Sequence, residues 1–447
     1  MKRSRLYTSE VRRFVLAATE RIEGSSVVPA LEHLDETQWF DREAIERYRW
    51  KKIERLLEHL YTYVPYYRDV FDQLGIRPGD IRTVENFGKI PIVAKKDIRE
   101  NLLRMQATGS STPMKIVRAQ TGGTTGEPLR FLRNADCNAF TRAALLRCYT
   151  WTGYRLGDPM MFLTGGSLLG PPQTWKQKAA FRLMNYHFMP GFRLRRETLP
   201  EYVRCIRAKK IRFLRGFSTL IHQLAELCET AGITDIRFRA IYPTAEMLTK
   251  TQLARIERVF QCEVFDQYGC AEINALANEC EKGGFHINEE HAMVEVVRSE
   301  KTGNDGLVVT DLDNYAQPFV RYFIGDRGSI ATDKCPCGRE LIRLQEFLGR
   351  SSDAIYLPSG ERYPGVFFHH LFGHFEGVTQ FQVVQEKRGE LRFRLVRNDR
   401  YRPSDETEIR KLAIEHTGID PELEYVAEIE RSPSGKITSV INAVDNV

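Results

Sequence analysis

At 447 residues, with 42% hydrophobic and 28% charged, the chain is composed like an ordinary globular protein and exceeds the size at which one hydrophobic core stops growing, so more than one domain is expected. A net charge of +6 is too mild to imply nucleic acid, and no zinc-finger, RRM or KH signature is present. No stretch approaches the ~18 uninterrupted apolar residues of a membrane span, and nine scattered cysteines, an odd number, argue against a disulfide framework and for a reducing, cytoplasmic setting.

Taken in chain order, the basic N-terminus MKRSRLYTSEVRRFVLAATERIEG has only FVLAA as an apolar run, too short for a secretory signal, and reads as an amphipathic helix. Residues 41–75 carry apolar positions at helical spacing in two pieces, broken at Val64-Pro65 because proline disfavours helix in its predecessor. This predicts a helical cap over about residues 1–75. Strand-like runs MMFLTGG, IRFLRGF, RAIYP and EVFDQYG then alternate with helical EYVRCIRAKK, TLIHQLAELCETAG and KTQLARIERVF. Such alternation predicts α/β layers on a substantially parallel sheet. From Ala292 to Ile330 the pattern turns strand-like, with a turn at Thr302–Gly306, as in a β subdomain. A boundary near Gly349 divides a domain of residues 1–348 from a small α+β domain of residues 349–447. Between Lys176 and Arg215 lie twelve Lys and Arg against only Glu197 and Glu201. That excess either forms the solvated face of a helix or attracts an anionic partner.

Several short motifs offer chemistry. Gln120-Thr121-Gly122-Gly123-Thr124-Thr125-Gly126-Glu127-Pro128 can bring backbone N–H groups and hydroxyls around an anion, and it is neither a Walker loop nor a dinucleotide fingerprint. In Asp266-Gln267-Tyr268-Gly269-Cys270-Ala271-Glu272 a carboxylate follows a strand, where Glu272 could bind the Mg²⁺ of a nucleotide and Tyr268 could stack on a base. Arg321-Tyr322-Phe323-Ile324-Gly325-Asp326, Leu348-Gly349-Arg350-Ser351-Ser352-Asp353 and Ser432-Pro433-Ser434-Gly435-Lys436 follow. Each alone is equally a turn, a helix start or an exposed lysine.

In order, TGGTTG, YPTAEM, YGCAE, RYFIGD, LGRSSD and PSGK resemble the adenylate-forming superfamily of acyl-coenzyme A synthetases. VPYYRDVF, GFSTL and the cysteine-bearing segment after YGCAE resemble its phenylacetate-coenzyme A ligase branch, and within it the CapK-type members of capsule biosynthesis. The resemblance implies an adenylate-forming fold with a mobile C-terminal domain. It also implies an enzyme that converts ATP and a small carboxylic acid to acyl-AMP and pyrophosphate. Coenzyme A is the implied acceptor, and an amine of a sugar or amino acid the alternative. A catalytically silent nucleotide-binding homologue is the rival from another class. The oligomeric state stays open, a homodimer included.

Residue by residue, the resemblance implies that Thr121, Gly122, Gly123, Thr124, Thr125 and Gly126 wrap the ATP phosphates, with Thr125 close to the chemistry. Glu246, Gln267, Tyr268 and Gly269 complete the nucleotide site, and Glu272 binds Mg²⁺. Asp326 holds the ribose hydroxyls, Arg350 the ribose or phosphate, and Lys436 bridges the substrate carboxylate and the α-phosphate. The hinge falls at Ser352 and Asp353, where the superfamily's usual aspartate two residues after Gly-Arg is replaced by Ser352. Finally, Cys280, His286, Cys335 and Cys337 offer the thiolate and imidazole set of a structural zinc, across a gap of 48 residues that no standard finger uses. Unliganded thiols are the alternative, and Cys270 is the rival fourth ligand.

Overall fold

The computed structural model describes residues 27–111, 113–121, 129–164, 174–298, 305–350, 354–360, 362–431 and 437–444. The chain divides into two compact units. One takes the chain to Asp158, then Phe265–Ile324 and Gly328–Phe347; the other takes Pro159–Val264, Gly325–Arg327 and Leu348–Val447.

The first unit opens with helices α1 (Val27–Thr37), α2 (Arg42–Tyr63) and α3 (Pro65–Leu74). Asp41 caps α2 by accepting from the Ala44 N–H at 2.8 Å. Val64 adopts extended backbone between α2 and α3, so Pro65 opens the next helix at its first turn, where its missing N–H costs nothing. Leu56, Leu60, Tyr67 and Phe71 from these helices are wholly buried in one apolar cluster with Phe319 and Tyr322. Each such side chain contributes about 1.5–3 kcal/mol. An antiparallel hairpin, β1 (Ile116–Gln120) and β2 (Arg130–Asn134), leads into α4 (Ala135–Trp151).

The chain then builds the second unit: β3 (Met160–Thr164), α5 (Trp175–Met184), β4 (Tyr186–Pro190), α6 (Leu199–Lys209), β5 (Phe213–Phe217), α7 (Ser218–Thr230), β6 (Ala240–Thr244), α8 (Lys250–Phe260) and β7 (Glu263–Val264). These strands pair in parallel in the order β7-β6-β5-β3-β4. All of β3 and β6 is buried, as a sheet covered on both faces requires. A Cβ on Gly216 would lie 2.4 Å from the Leu163 carbonyl oxygen, so only glycine lets β5 lie against β3 there.

Back in the first unit run the short antiparallel strands β8 (Gln267–Tyr268), β9 (Ala277–Glu279) and β10 (Phe285–Ile287). The expected strand EVFDQYG is therefore two: at Asp266 the backbone N–H leaves the ladder and donates to the Glu279 carboxylate at 3.0 Å. Then come β11 (Ala292–Arg298), β12 (Asp305–Asp311) and β13 (Tyr322–Phe323), a three-stranded antiparallel sheet at the place expected for the β subdomain. β14 (Asp326–Ile330) and β15 (Arg343–Arg350) follow, β15 pairing with β10. The chain passes out of this unit after Phe347.

The C-terminal region contains β16 (Ala354–Tyr356), β17 (Arg362–Pro364), α9 (Val366–Phe372), β18 (Val378–Gln385), β19 (Arg392–Arg397), α10 (Pro403–Thr417), β20 (Glu422–Tyr425) and β21 (Val440–Asn442). Its sheet has the order β20-β19-β18-β21 and packs Val383, Phe393 and Leu395 with Phe368 and Ile409 of the helices. The fold class is α/β, with a β region and a smaller α+β C-terminal part, as expected.

Candidate active site and cysteine-histidine cluster

The Gly/Thr loop is the connection of the β1–β2 hairpin. Thr121 N–H donates to the Leu129 carbonyl, and Leu129 N–H to Thr121 Oγ1, both at 2.9 Å. The loop thus leaves and returns at one rung. Gly122, Gly123, Thr124, Thr125 and Gly126 lie outside the described residues, as do Ser352, Asp353 and Lys436 and the side chain of Arg350.

Beyond the loop, β2 carries Arg133, which sequence reasoning did not single out. Its Nη2 donates to the carbonyls of both Ala271 and Glu272 at 2.7 Å. With the Asn274 amide turned to satisfy both ends, Nη1 donates to the Asn274 oxygen at 2.8 Å while the Asn274 nitrogen donates to the Cys270 carbonyl at 3.0 Å. One guanidinium therefore ties the YGCAE turn to the loop hairpin. The Glu272 side chain is buried, and its Oε1 accepts from the Tyr322 hydroxyl at 2.9 Å. A buried carboxylate with a single hydroxyl donor among the described residues is costly unless a cation completes it. Glu272 therefore fits a Mg²⁺ ligand. Gln267 and Tyr268 pair with Asn278 and Ala277, and the Tyr268 ring is half-buried against the apolar core. Asp326 is buried at the start of β14. Arg321, whose φ is 47°, binds Glu295 through Nη2 at 3.1 Å and Nε at 3.2 Å and donates to the Gly88 and Ile90 carbonyls, a structural role.

In the second unit Glu246 follows β6. Its Oε2 accepts from the Thr219 N–H at 3.0 Å and Thr219 Oγ1 at 2.7 Å, and its Oε1 from the Ile437 N–H at 3.1 Å. Expected among the nucleotide-binding residues, this carboxylate is engaged with protein donors.

The structure brings Cys280, His286, Cys335 and Cys337 together, their ligand atoms all within 4.8 Å of one another. Cys280 and Cys335 sulfurs are 3.7 Å apart, and Cys337 Sγ lies 3.2 Å from His286 Nε2. The other ring nitrogen, Nδ1, lies 3.0 Å from the Leu341 carbonyl, a partner that fixes the tautomer and leaves the Nε2 lone pair facing the sulfurs. A Cβ on Gly284 would stand 2.5 Å from Cys335 Sγ, so glycine keeps the cluster open. Burial pulls the imidazole of His286 down to about 4 and pushes the Cys280 thiol up to about 12. Burial also pushes Cys337 up, but the Arg339 N–H, the Cys335 thiol and the Arg339 guanidinium outweigh it and bring the group below its ordinary value. Three thiols and an oriented imidazole fit a tetrahedral zinc ion. Cys270 is absent from the set and bonds instead to Ile273 within its own turn. All nine cysteines are free of disulfides.

Around this cluster the run His286–His291 carries a buried polar network that no motif signalled. Arg147 of α4 meets Glu290 at 2.5 Å and also donates to Asn288, with both ionic side chains fully buried. Burial pushes Glu290 up, but the Arg147 guanidinium draws it below the usual carboxylate range. Glu289 accepts from Arg42 at 2.8 Å and Arg49 at 2.6 Å, tying α2 to the same run. His291, Asp311 and Asp313 also converge, but there Lys52 Nζ stands 2.5 Å from Asp313 and supplies the cation.

A largely parallel sheet layered by helices, an antiparallel β region and a small C-terminal α+β part define the class: this is the fold of the adenylate-forming coenzyme A ligases. A 2-hydroxyisobutyryl-CoA ligase in the postadenylation state with 2-HIB-AMP matches at a TM-score of 0.72 over 90% of each chain, with 20% identity. In sequence, the phenylacetate-coenzyme A ligase of Thermus thermophilus is 26% identical over 376 residues, 80% of this chain and 81% of that protein. Protein CapK of Staphylococcus aureus is 26% identical over 316 residues, 68% of each. Residues 355–443 match the family described as the CapK C-terminal domain. Within its class the chain thus resembles the phenylacetate-coenzyme A ligases and CapK, as its motifs indicate, and its relatives and structural neighbours include ligases, which are enzymes. None of the described helices is long and apolar enough to cross a membrane.

Proposed function

We propose that the chain activates a small carboxylic acid as its acyl-AMP and then transfers the acyl group to coenzyme A. A carboxylate oxygen attacks the α-phosphorus of ATP, the bond to the β-phosphate oxygen breaks, and pyrophosphate leaves. The thiol of coenzyme A then attacks the acyl carbonyl, loses its proton and displaces AMP. The observation that carries this reading is the Arg133 link between the Gly/Thr hairpin and the turn bearing Glu272. It couples an anion-binding loop to a buried carboxylate, as a nucleotide-triphosphate site requires.

In this reading Thr121 to Gly126 receive the phosphates, Asp326 and Arg350 hold the ribose, and Lys436 lies between the substrate carboxylate and the α-phosphate. Its ammonium cancels the repulsion of two anions brought together, an effect typically worth ~10² to 10³ in rate. Glu272 would hold Mg²⁺, which neutralises phosphate charge when bound. Cys280, His286, Cys335 and Cys337 would hold zinc as a cross-link between β10 and the turn before β15.

Pyrophosphate exchange across a panel of carboxylic acids tests the reading, followed by release of AMP on adding coenzyme A or an amino sugar. Lys436→Ala should lose acyl-AMP formation by about two to three orders of magnitude while still binding ATP. A variant that adenylates at the wild-type rate refutes the assignment.

A further inference from the structure

We propose that Thr219, Glu246 and Arg431 form a clasp that grips both ends of the segment carrying Lys436, making them positioning residues for the adenylation step. This inference rests on the reading of Lys436 given above.

The helix α7 starts with no side-chain cap from its own N-cap residue, Phe217. Glu246, reaching over from the turn after β6, supplies one: its Oε2 takes the Thr219 N–H, and its backbone carbonyl accepts from Ser218 Oγ at 2.7 Å. A carboxylate at a helix N-terminus is electrostatically favoured, so this side chain is firmly placed. A cap needs only one oxygen. The second, Oε1, accepts the backbone N–H of Ile437, the residue that follows Lys436.

The opposite end of residues 432–436 is held on the same turn. Arg431 Nη1 donates to Thr219 Oγ1 at 3.0 Å, and that hydroxyl in turn donates a hydrogen bond to Glu246 Oε2 at 2.7 Å. A single chain of hydrogen bonds therefore runs from Arg431 through Thr219 and Glu246 to Ile437. Just outside the clasp the chain is secured to the C-terminal sheet, where Gln382 Nε2 donates to the Thr438 carbonyl at 2.9 Å and Val383 N–H to the Ser439 carbonyl at 2.8 Å. Lys436 thus sits one residue from an anchor. Anchors at Arg431 and Ile437 lower the entropy cost of bringing the Lys436 ammonium to the reacting groups. The second half-reaction brings a thiol to a carbonyl and joins no two anions, so it makes no such demand on Lys436.

Thr219→Val removes the hydroxyl relay while keeping the side-chain shape, and Arg431→Met breaks the other anchor without changing a residue of α7. Both should slow acyl-AMP formation about tenfold, the scale of one lost hydrogen bond, with the KM for ATP little changed. Acyl transfer from preformed acyl-AMP should keep its rate, and Thr219→Ser should restore adenylation. Hydrogen-deuterium exchange gives a readout independent of activity: amides of residues 428–440 should exchange faster in Thr219→Val and Arg431→Met than in wild type or Thr219→Ser. Unchanged exchange in both variants, or equal losses in the two half-reactions, overturns the clasp. If the wild type forms no acyl-AMP with any acid, the proposed function fails, and the exchange of residues 428–440 still decides the clasp.

Discussion

Arg133 Nη2 lies 2.7 Å from the carbonyl oxygen of Glu272, so a residue of the hairpin strand β2 also fixes the backbone of the buried carboxylate. Arg133→Met would leave the Ala271 and Glu272 carbonyls and the Asn274 amide oxygen without this donor in a partly buried turn. Each orphaned group costs about 1–3 kcal/mol. We expect a lower urea midpoint and a higher Mg²⁺ concentration for half-maximal pyrophosphate exchange. Arg133→Lys should fall between, because an ammonium lacks the planar fork that reaches all three oxygens. A folded Arg133→Met with the wild-type Mg²⁺ dependence would detach Glu272 from this turn.

Protein purified without chelator should contain about one zinc per chain, since the four-ligand set is complete. Cys337→Ser should lower both the zinc content and the melting temperature. Gly284→Ala should do the same without removing a ligand, because its Cβ would meet Cys335 Sγ at 2.5 Å. Metal-free protein with an unchanged melting temperature would leave the four side chains as ordinary thiols and an imidazole.

The Arg147–Glu290 pair predicts a reversal of acid sensitivity. Glu290 titrates below its ordinary 4.5 in the folded protein, so the unfolded chain binds the proton more tightly. Its contribution is complete above about pH 4.5 and drains away as pH falls through the depressed folded value. In Arg147→Met only the Thr37 hydroxyl, at 2.8 Å, and the backbone N–H of Glu290 still oppose burial, the largest cause. The group should then rise, so that stability falls as pH climbs from the ordinary value through the raised folded one. Breaking the pair should also cost about 3–5 kcal/mol near neutrality. Urea midpoints of both proteins across the acid range check this, and parallel pH profiles would refute it.

Much of the layering was readable because period and punctuation are local. The helix break at Val64-Pro65 and the alternation from Met160 to Phe260 appear where the pattern puts them. The helix Ala135–Trp151 carries no such signal, because it is buried around much of its circumference and its apolar positions form no single stripe. For the same reason Arg147 reads as a surface residue until Glu290, 143 positions later, is seen against it. Arg133 carries no motif either: its partners are backbone carbonyls, which any sequence supplies. The cysteine-histidine set was legible from residue type, whereas the distance that unites it is made by β9, β10 and the turn before β15.

The last prediction concerns the basic segment. On α6 the charge is a solvated helix face: Tyr202, Val203 and Ile206 are buried, Arg204, Lys209 and Lys210 face solvent, and Arg207 is matched by Asp235 at 2.7 Å. Ahead of it the situation differs. On α5, Trp175, Lys178, Ala179 and Arg182 share one outward stripe, with Trp175 75% exposed. The lengths of α5 and β4 match, so Trp175 and the residues after Pro190 lie toward the same end of the parallel strands. That is the carboxyl end, where α/β sheets bind ligands. Arg193, Arg195 and Arg196 are exposed there, and no carboxylate among the described residues pairs with them or with Lys178 and Arg182. Unpaired cations at the ligand end of a sheet concentrate anions such as the phosphates of an acyl acceptor. Arg195→Glu combined with Arg196→Glu should therefore leave pyrophosphate exchange nearly intact and slow acyl transfer. The loss should be largest at low ionic strength, because exposed charges are screened over about 10 Å at 0.1 M salt. Equal acyl-transfer rates in the wild type and the double variant at low salt, with coenzyme A and with an amino sugar, would make this face solvent-exposed charge and nothing more.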